Sequence, residues 1–135
     1  MMQPLVEILD SGNHSLVIEN GGAIRAFDGR GVADLHRLLT TQPSALKGAM
    51  VADKVVGRGA AALIILGGVS RLFARVISRH ALSLLHDSDV TVTYTNCVDS
   101  IINRAGTGPC PVEALCADCR TAEECLPLIT KFLSC

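Results

Sequence analysis

The sequence predicts an α/β protein, a three-layer α/β/α sandwich on a mixed, mostly parallel five-stranded sheet. Three observations carry this. Asn20-Gly21-Gly22 separates two short β-prone runs, and Asn and Gly accept the positive φ of a tight hairpin turn. Beyond the hairpin, short apolar strands alternate with segments of helical period, an order that demands right-handed crossovers and parallel pairing. The all-apolar run from Ala60 to Leu66, closed by Gly67-Gly68, reads as a helix buried on nearly every face, hence a central one.

Each element follows from its pattern. Leu5, Val6, Ile8 and Leu9 give an opening amphipathic helix ended by Asp10-Ser11-Gly12. The hairpin strands run over 15–19 and 23–27. Val32, Leu35, Leu38 and Leu39 repeat at helical spacing until Pro43. A short buried strand is expected over 48–52, then Asp53 as an N-cap and a helix over 54–66. Strands follow at 71–78 and 90–95, with a short helix at 80–86 between them, and helical pieces finish the chain from Val98. Thr121 with Glu124 three residues on is a capping box for the last helix. No repeat or low-complexity stretch interrupts the order, so residues 1–135 are expected to form a single domain.

Composition bounds the function. The chain has 135 residues, about half of them apolar, but only three Phe, one Tyr and no Trp, so the core must be aliphatic. Twelve Lys and Arg against thirteen Asp and Glu leave no basic stripe for phosphate backbones, and no aromatics interleave with basic residues, which excludes nucleic acid as the expected partner. No apolar run approaches the ~18 residues of a membrane span, and Met1-Met2-Gln3-Pro4 lacks a basic segment followed by an apolar stretch. A cytoplasmic location is expected, where six cysteines read as reduced thiols, ligands or reactive groups rather than a disulfide framework.

The polar constellations gather in two places. At Asp53-Lys54 the plain reading is an N-cap followed by a surface lysine. The functional reading is an anion site, in which the free N–H groups of the helix start act with Lys54 and Arg58 on a phosphate or carboxylate. Gly57 and Gly59 inside that helix imply close packing against a strand or ligand. They do not make a dinucleotide fingerprint, because they lie within the helix and the third glycine is missing. Asn103, Arg104, Thr107, Cys110 and Glu113 form a second polar cluster in a glycine-rich turn suited to a lid. Cys110 before Pro111 is either a small buried residue or, at a helix start, a nucleophile. Cys110, Cys116, Cys119 and Cys125 include one Cys-x-x-Cys. The usual second pair is absent, so reduced thiols are expected and no metal or cofactor is assigned, with a zinc or iron–sulfur site as the alternative.

The segments Ala52-Asp53-Lys54-Val55-Val56-Gly57, Ala60-Ala61-Ala62, Gly67-Gly68 and Asn103-Arg104-x-Gly106-Thr107-x-x-Cys110-Pro111-x-Glu113 resemble domain-of-unknown-function family 1893 over nearly the whole chain. The resemblance implies a cytidine-deaminase-like fold. Zinc deaminases need a His or Cys with a nearby Glu at one helix start and a Cys-x-x-Cys at the next. Here Gly29-Arg30-Gly31-Val32-Ala33-Asp34 and Ala52-Asp53-Lys54-Val55-Val56 stand in those places, so the resemblance supports the fold and argues against zinc-dependent deamination.

The expected function is binding of a small anionic ligand, such as a nucleotide or nucleobase derivative. Lys54 and Arg58 would neutralise it, helix starts at Gly31 and Asp53 would donate N–H groups, and Asn103, Arg104 and Thr107 would complete the pocket. One alternative is an enzyme with Cys110 as nucleophile and Asp53 or Glu113 in proton transfer. Another is a C-terminal cysteine metal or redox module. The aliphatic surplus also leaves room for a homodimer paired through helices.

Overall fold

Leu5 and Leu9, one helical turn apart, bury one side of the first helix, α1 (Gln3–Ser11). The computed structural model describes residues 2–29, 32–102, 106–108 and 110–134 of the chain. Strands β1 (Leu16–Asn20) and β2 (Ala23–Phe27) form the hairpin, with Gly21 and Gly22 at φ +60° and +85°, the successive positive values of a type I′ turn. The chain continues through α2 (Ala33–Thr41), a 3-10 turn at Pro43–Ala45, β3 (Met50–Val56), α3 (Arg58–Gly67) and β4 (Arg71–Ser78). It ends with α4 (Arg79–His86), β5 (Thr91–Val98), α5 (Pro111–Leu115) and α6 (Ala122–Leu133).

The five strands lie in the order β2-β1-β3-β4-β5. β1 pairs antiparallel with both β2 and β3, while β3–β4 and β4–β5 are parallel. Four strands therefore point one way, and β1 alone, between β2 and β3, opposes them. The carboxyl ends of those four strands share one edge of the sheet, and α2, α3 and α4 each begin there. This edge is where open α/β sheets place ligands.

The two faces are covered unequally. On one, α1 packs Leu5 and Leu9 against Val17 and Ala52. On the other, the main core joins Leu16, Ile18, Val51, Leu72 and Ala74 of the sheet to Leu35, Leu38, Leu63, Ile64, Leu85 and Ile129 of the helices. Residues 59–64 of α3 are all buried, as expected of a central helix, and Gly68 ends it in the left-handed region at φ +76°. Edge strand β5 is exposed along most of its length.

Two expectations are corrected. Asp53 does not cap a helix and Lys54 does not lie in a first turn: both are inside β3, which runs on to Val56, and α3 starts at Arg58 with Gly57 as its N-cap. The reason is non-local pairing. Asp53 lies opposite Leu16 and Ala74, Lys54 N–H donates to the Ser15 carbonyl at 3.0 Å, and β-branched Val55 and Val56 favour the extended chain. Gly57 and Gly59 are thus the cap and second residue of the helix rather than interior breaks. After β5, helix does not begin at Val98: the strand includes that residue, and the next helix in the described residues starts at Pro111.

Candidate functional site

The strand periodicity sends successive side chains of β3 to opposite faces. Ala52 packs toward α1, so Asp53, like Val51, faces the main core beneath α2 and α3. Its neighbours across the sheet on that face are Leu16 and Ala74, both buried. Asp53 is 8 % exposed. The hydrogen bond to its carboxylate comes from Val55 N–H at 3.4 Å. Removal from water dominates over the weak opposing pull of the Val55 and Lys54 amides and pushes its pKa up to about 7. A carboxyl group titrating near neutrality can donate or accept a proton at physiological pH.

Two other buried carboxylates fix the chain where α2 and α3 begin. Asp34 accepts from Gly29 N–H at 2.9 Å and from Arg37 Nη1 at 2.9 Å, which ties the segment leaving β2 to the first turn of α2. A Cβ at Gly29 would overlap the Asp34 carboxylate, so close approach requires glycine there. Glu113 of α5 is 3 % exposed and accepts from Arg58 N–H at 2.8 Å and Ile101 N–H at 3.0 Å. It is a remote cap: its charge sits on the free N–H end of α3 and pins the segment after β5 to it.

The structure separates the residues that the sequence groups together. Lys54 alternates away from Asp53, and its Nζ donates to Asn13 Oδ1 at 3.1 Å just beyond α1. The Arg58 guanidinium donates through Nε (3.0 Å) and Nη2 to the Cys119 carbonyl and through Nη1 to the His80 carbonyl at 2.9 Å. Lys54, Arg58 and Asp53 therefore do not converge, and the α3 N-terminus expected to hold an anion already carries Glu113. Cys110 is half-buried as the N-cap of α5, its N–H donating to the Ile101 carbonyl at 2.8 Å. Thr107 is exposed. Gly31, Asn103 and Arg104 lie outside the described residues. Two open surface grooves lie elsewhere, one lined by Asn20, Arg25 and Gln42 near the hairpin turn, the other by Leu82, His86 and Val92 between α4 and β5.

Of the four cysteines grouped in the sequence, three come together. The sulfurs of Cys116, Cys119 and Cys125 lie within 4.8 Å of one another, and all three residues are buried. A hydrogen bond from Cys125 lowers the Cys116 pKa, and the same bond raises that of Cys125. Burial pushes the Cys119 thiol up to about 11. The spacing hinted at this cluster, but the role of Glu113 had no local signal, since its partner Arg58 is 55 residues away.

The fold and site define an α/β protein with a mixed five-stranded sheet and a buried acid facing the helices at the middle of β3. Residues 4–133 match the family described as TM1506, domain of unknown function (DUF1893), and the chain belongs to that family. A crystal structure of a DUF1893 family protein (TM1506) from Thermotoga maritima is similar, with a TM-score of 0.88 and 24 % identity, over 96 % of this chain and 88 % of that one. No curated protein matches. Among the described residues, no helix is long and apolar enough to cross a membrane.

Proposed function

We propose that this protein binds a small nucleobase derivative or nucleotide at the carboxyl edge of its sheet, with Asp53 as the group that recognises the heterocycle. The carrying observation is Asp53 itself: a buried carboxyl, poised to hold or release a proton near pH 7, that accepts a long 3.4 Å hydrogen bond from Val55 N–H of its own strand. In its neutral form such a group offers a donor and an acceptor side by side. That pattern matches the lactam and amidine edges of nucleobases.

The choice of nucleobases rests on analogy of fold. A reversed β1 between β2 and β3, followed by two parallel crossovers, supports reading the chain as a cytidine-deaminase-like single domain. The actual α3 start, Gly57-Arg58-Gly59-Ala60-Ala61, carries no Cys or His, so the reading is of a binding site rather than a zinc deaminase. The free thiols of Cys97, Cys110, Cys116, Cys119 and Cys125 support a cytoplasmic location, and a homodimer is open to measurement by its mass in solution.

The test is thermal unfolding of the wild type and Asp53→Asn with a panel of nucleobases, nucleosides and nucleotides. A ligand at ~10 times its Kd adds about 1.4 kcal/mol of stability, a rise of roughly 4 °C in a chain of this size. The rise is expected in the wild type and lost in Asp53→Asn. No rise across the panel overturns the proposal.

A further inference from the structure

We propose that Cys116, Cys119 and Cys125 form a tris-thiolate site for one thiophilic divalent cation, zinc in the first instance. Two observations carry it independently. The first is convergence: Cys116 caps the end of α5, Cys119 follows it in a turn closed by Cys119 N–H donating to the Cys116 carbonyl at 3.1 Å, and Cys125 projects from the first turns of α6. Their sulfurs lie within 4.8 Å of one another, against ~3.8 Å between sulfurs sharing one zinc at 2.3 Å, so a small contraction supplies three of the four ligands of a tetrahedral ion. Gly59 lets α5 pack closely on α3, because a Cβ there would overlap Val112.

The second is a half-buried cation held against the cluster. Arg58 is half-buried, and its guanidinium bonds two backbone carbonyls, one of them that of Cys119. Among the described residues no carboxylate lies within ion-pair distance of that guanidinium, and the Glu113 carboxylate is held by the Arg58 backbone N–H instead. Binding a divalent ion would release three thiol protons and leave the cluster at a net charge of −1, which the Arg58 charge balances. A buried charge is tolerated when so paired.

A disulfide accounts for the cluster less well. It would use two of the three sulfurs, and exposures of 0, 6 and 0 % give an external thiol or oxidant no approach. A metal needs no such approach, because it can enter while α5 and α6 dock. This site is separate from Asp53 and stands or falls without the ligand proposal.

The experiment refolds the full chain anaerobically, under reducing conditions, with Zn2+ or Co2+, and compares it with Cys125→Ser and with the control Cys97→Ser at an exposed cysteine. We expect one bound metal per chain after gel filtration, thiolate-to-cobalt charge-transfer absorption in the near ultraviolet, and a raised unfolding midpoint, all retained in Cys97→Ser. In Cys125→Ser the affinity should fall on the order of a hundredfold or more. A refolded wild type without cobalt charge transfer overturns the site whatever the variants do. So does metal binding that is unchanged in Cys125→Ser.

Discussion

Replacing Asp53 with asparagine keeps the shape of the side chain and removes its charge. In the folded chain this carboxyl titrates at about 7, against an ordinary 3.8. Between those values the folded state holds a proton that the unfolded state has released, so stability falls as pH rises. Below about pH 4 both states are protonated and burial of the group carries no charge penalty; above about pH 7 both are ionised and the whole difference is felt. At ~1.4 kcal/mol per pH unit, the gap amounts to about 4 kcal/mol. Asp53→Asn should therefore be close to wild type in stability at about pH 4 and more stable by up to about 4 kcal/mol at about pH 8, or roughly 10–15 °C in melting temperature. The assay is chemical and thermal unfolding of both proteins across that range. A stability difference independent of pH, or an Asp53 carboxyl that titrates near 4 by NMR, refutes the reasoning.

Other substitutions test the supports of the site. Glu113→Gln sets an amide donor against one of two buried N–H groups and should cost about 2–3 kcal/mol, measured by urea unfolding, with hydrogen exchange rising at Arg58 and Ile101. Gly59→Ala should destabilise by about 1–3 kcal/mol despite better helix propensity, because the new methyl meets Val112 and Ile129; a gain in stability would show that α5 and α6 do not pack on α3 this closely. Thr121→Ala removes the hydroxyl that accepts from Glu124 N–H at 3.3 Å at the start of α6 and should cost about 1 kcal/mol in the same unfolding assay.

Features set by adjacent residues were legible in the sequence. Gly21-Gly22 fixed the hairpin, β4 has the expected bounds, and Thr121 caps α6, although Glu124 reaches back to Arg120 N–H rather than to that of Thr121. Features set by contacts across the chain were not. Asp before Lys-Val-Val-Gly satisfies the pattern of an N-cap, and only pairing with Leu16, 37 positions earlier, makes Asp53 a strand residue. That shift turned a solvent-facing cap into a buried acid. It also sent Lys54 to the opposite face. Glu113 had the residue type of a catalytic acid, yet folding spends both of its oxygens on backbone N–H groups. The cysteine spacing was visible, but the meeting of Cys125 with the Cys-x-x-Cys depends on how α6 docks on α3.

The central claim is that Asp53 meets a ligand at the carboxyl edge of the sheet. Its most direct test is a crystal structure of the protein with the panel member that raises its melting temperature most. The expected result is a heterocycle with one edge hydrogen-bonded to the Asp53 carboxyl. A ligand seated instead in the groove by Asn20, Arg25 and Gln42, with Asp53 uncontacted, would contradict it.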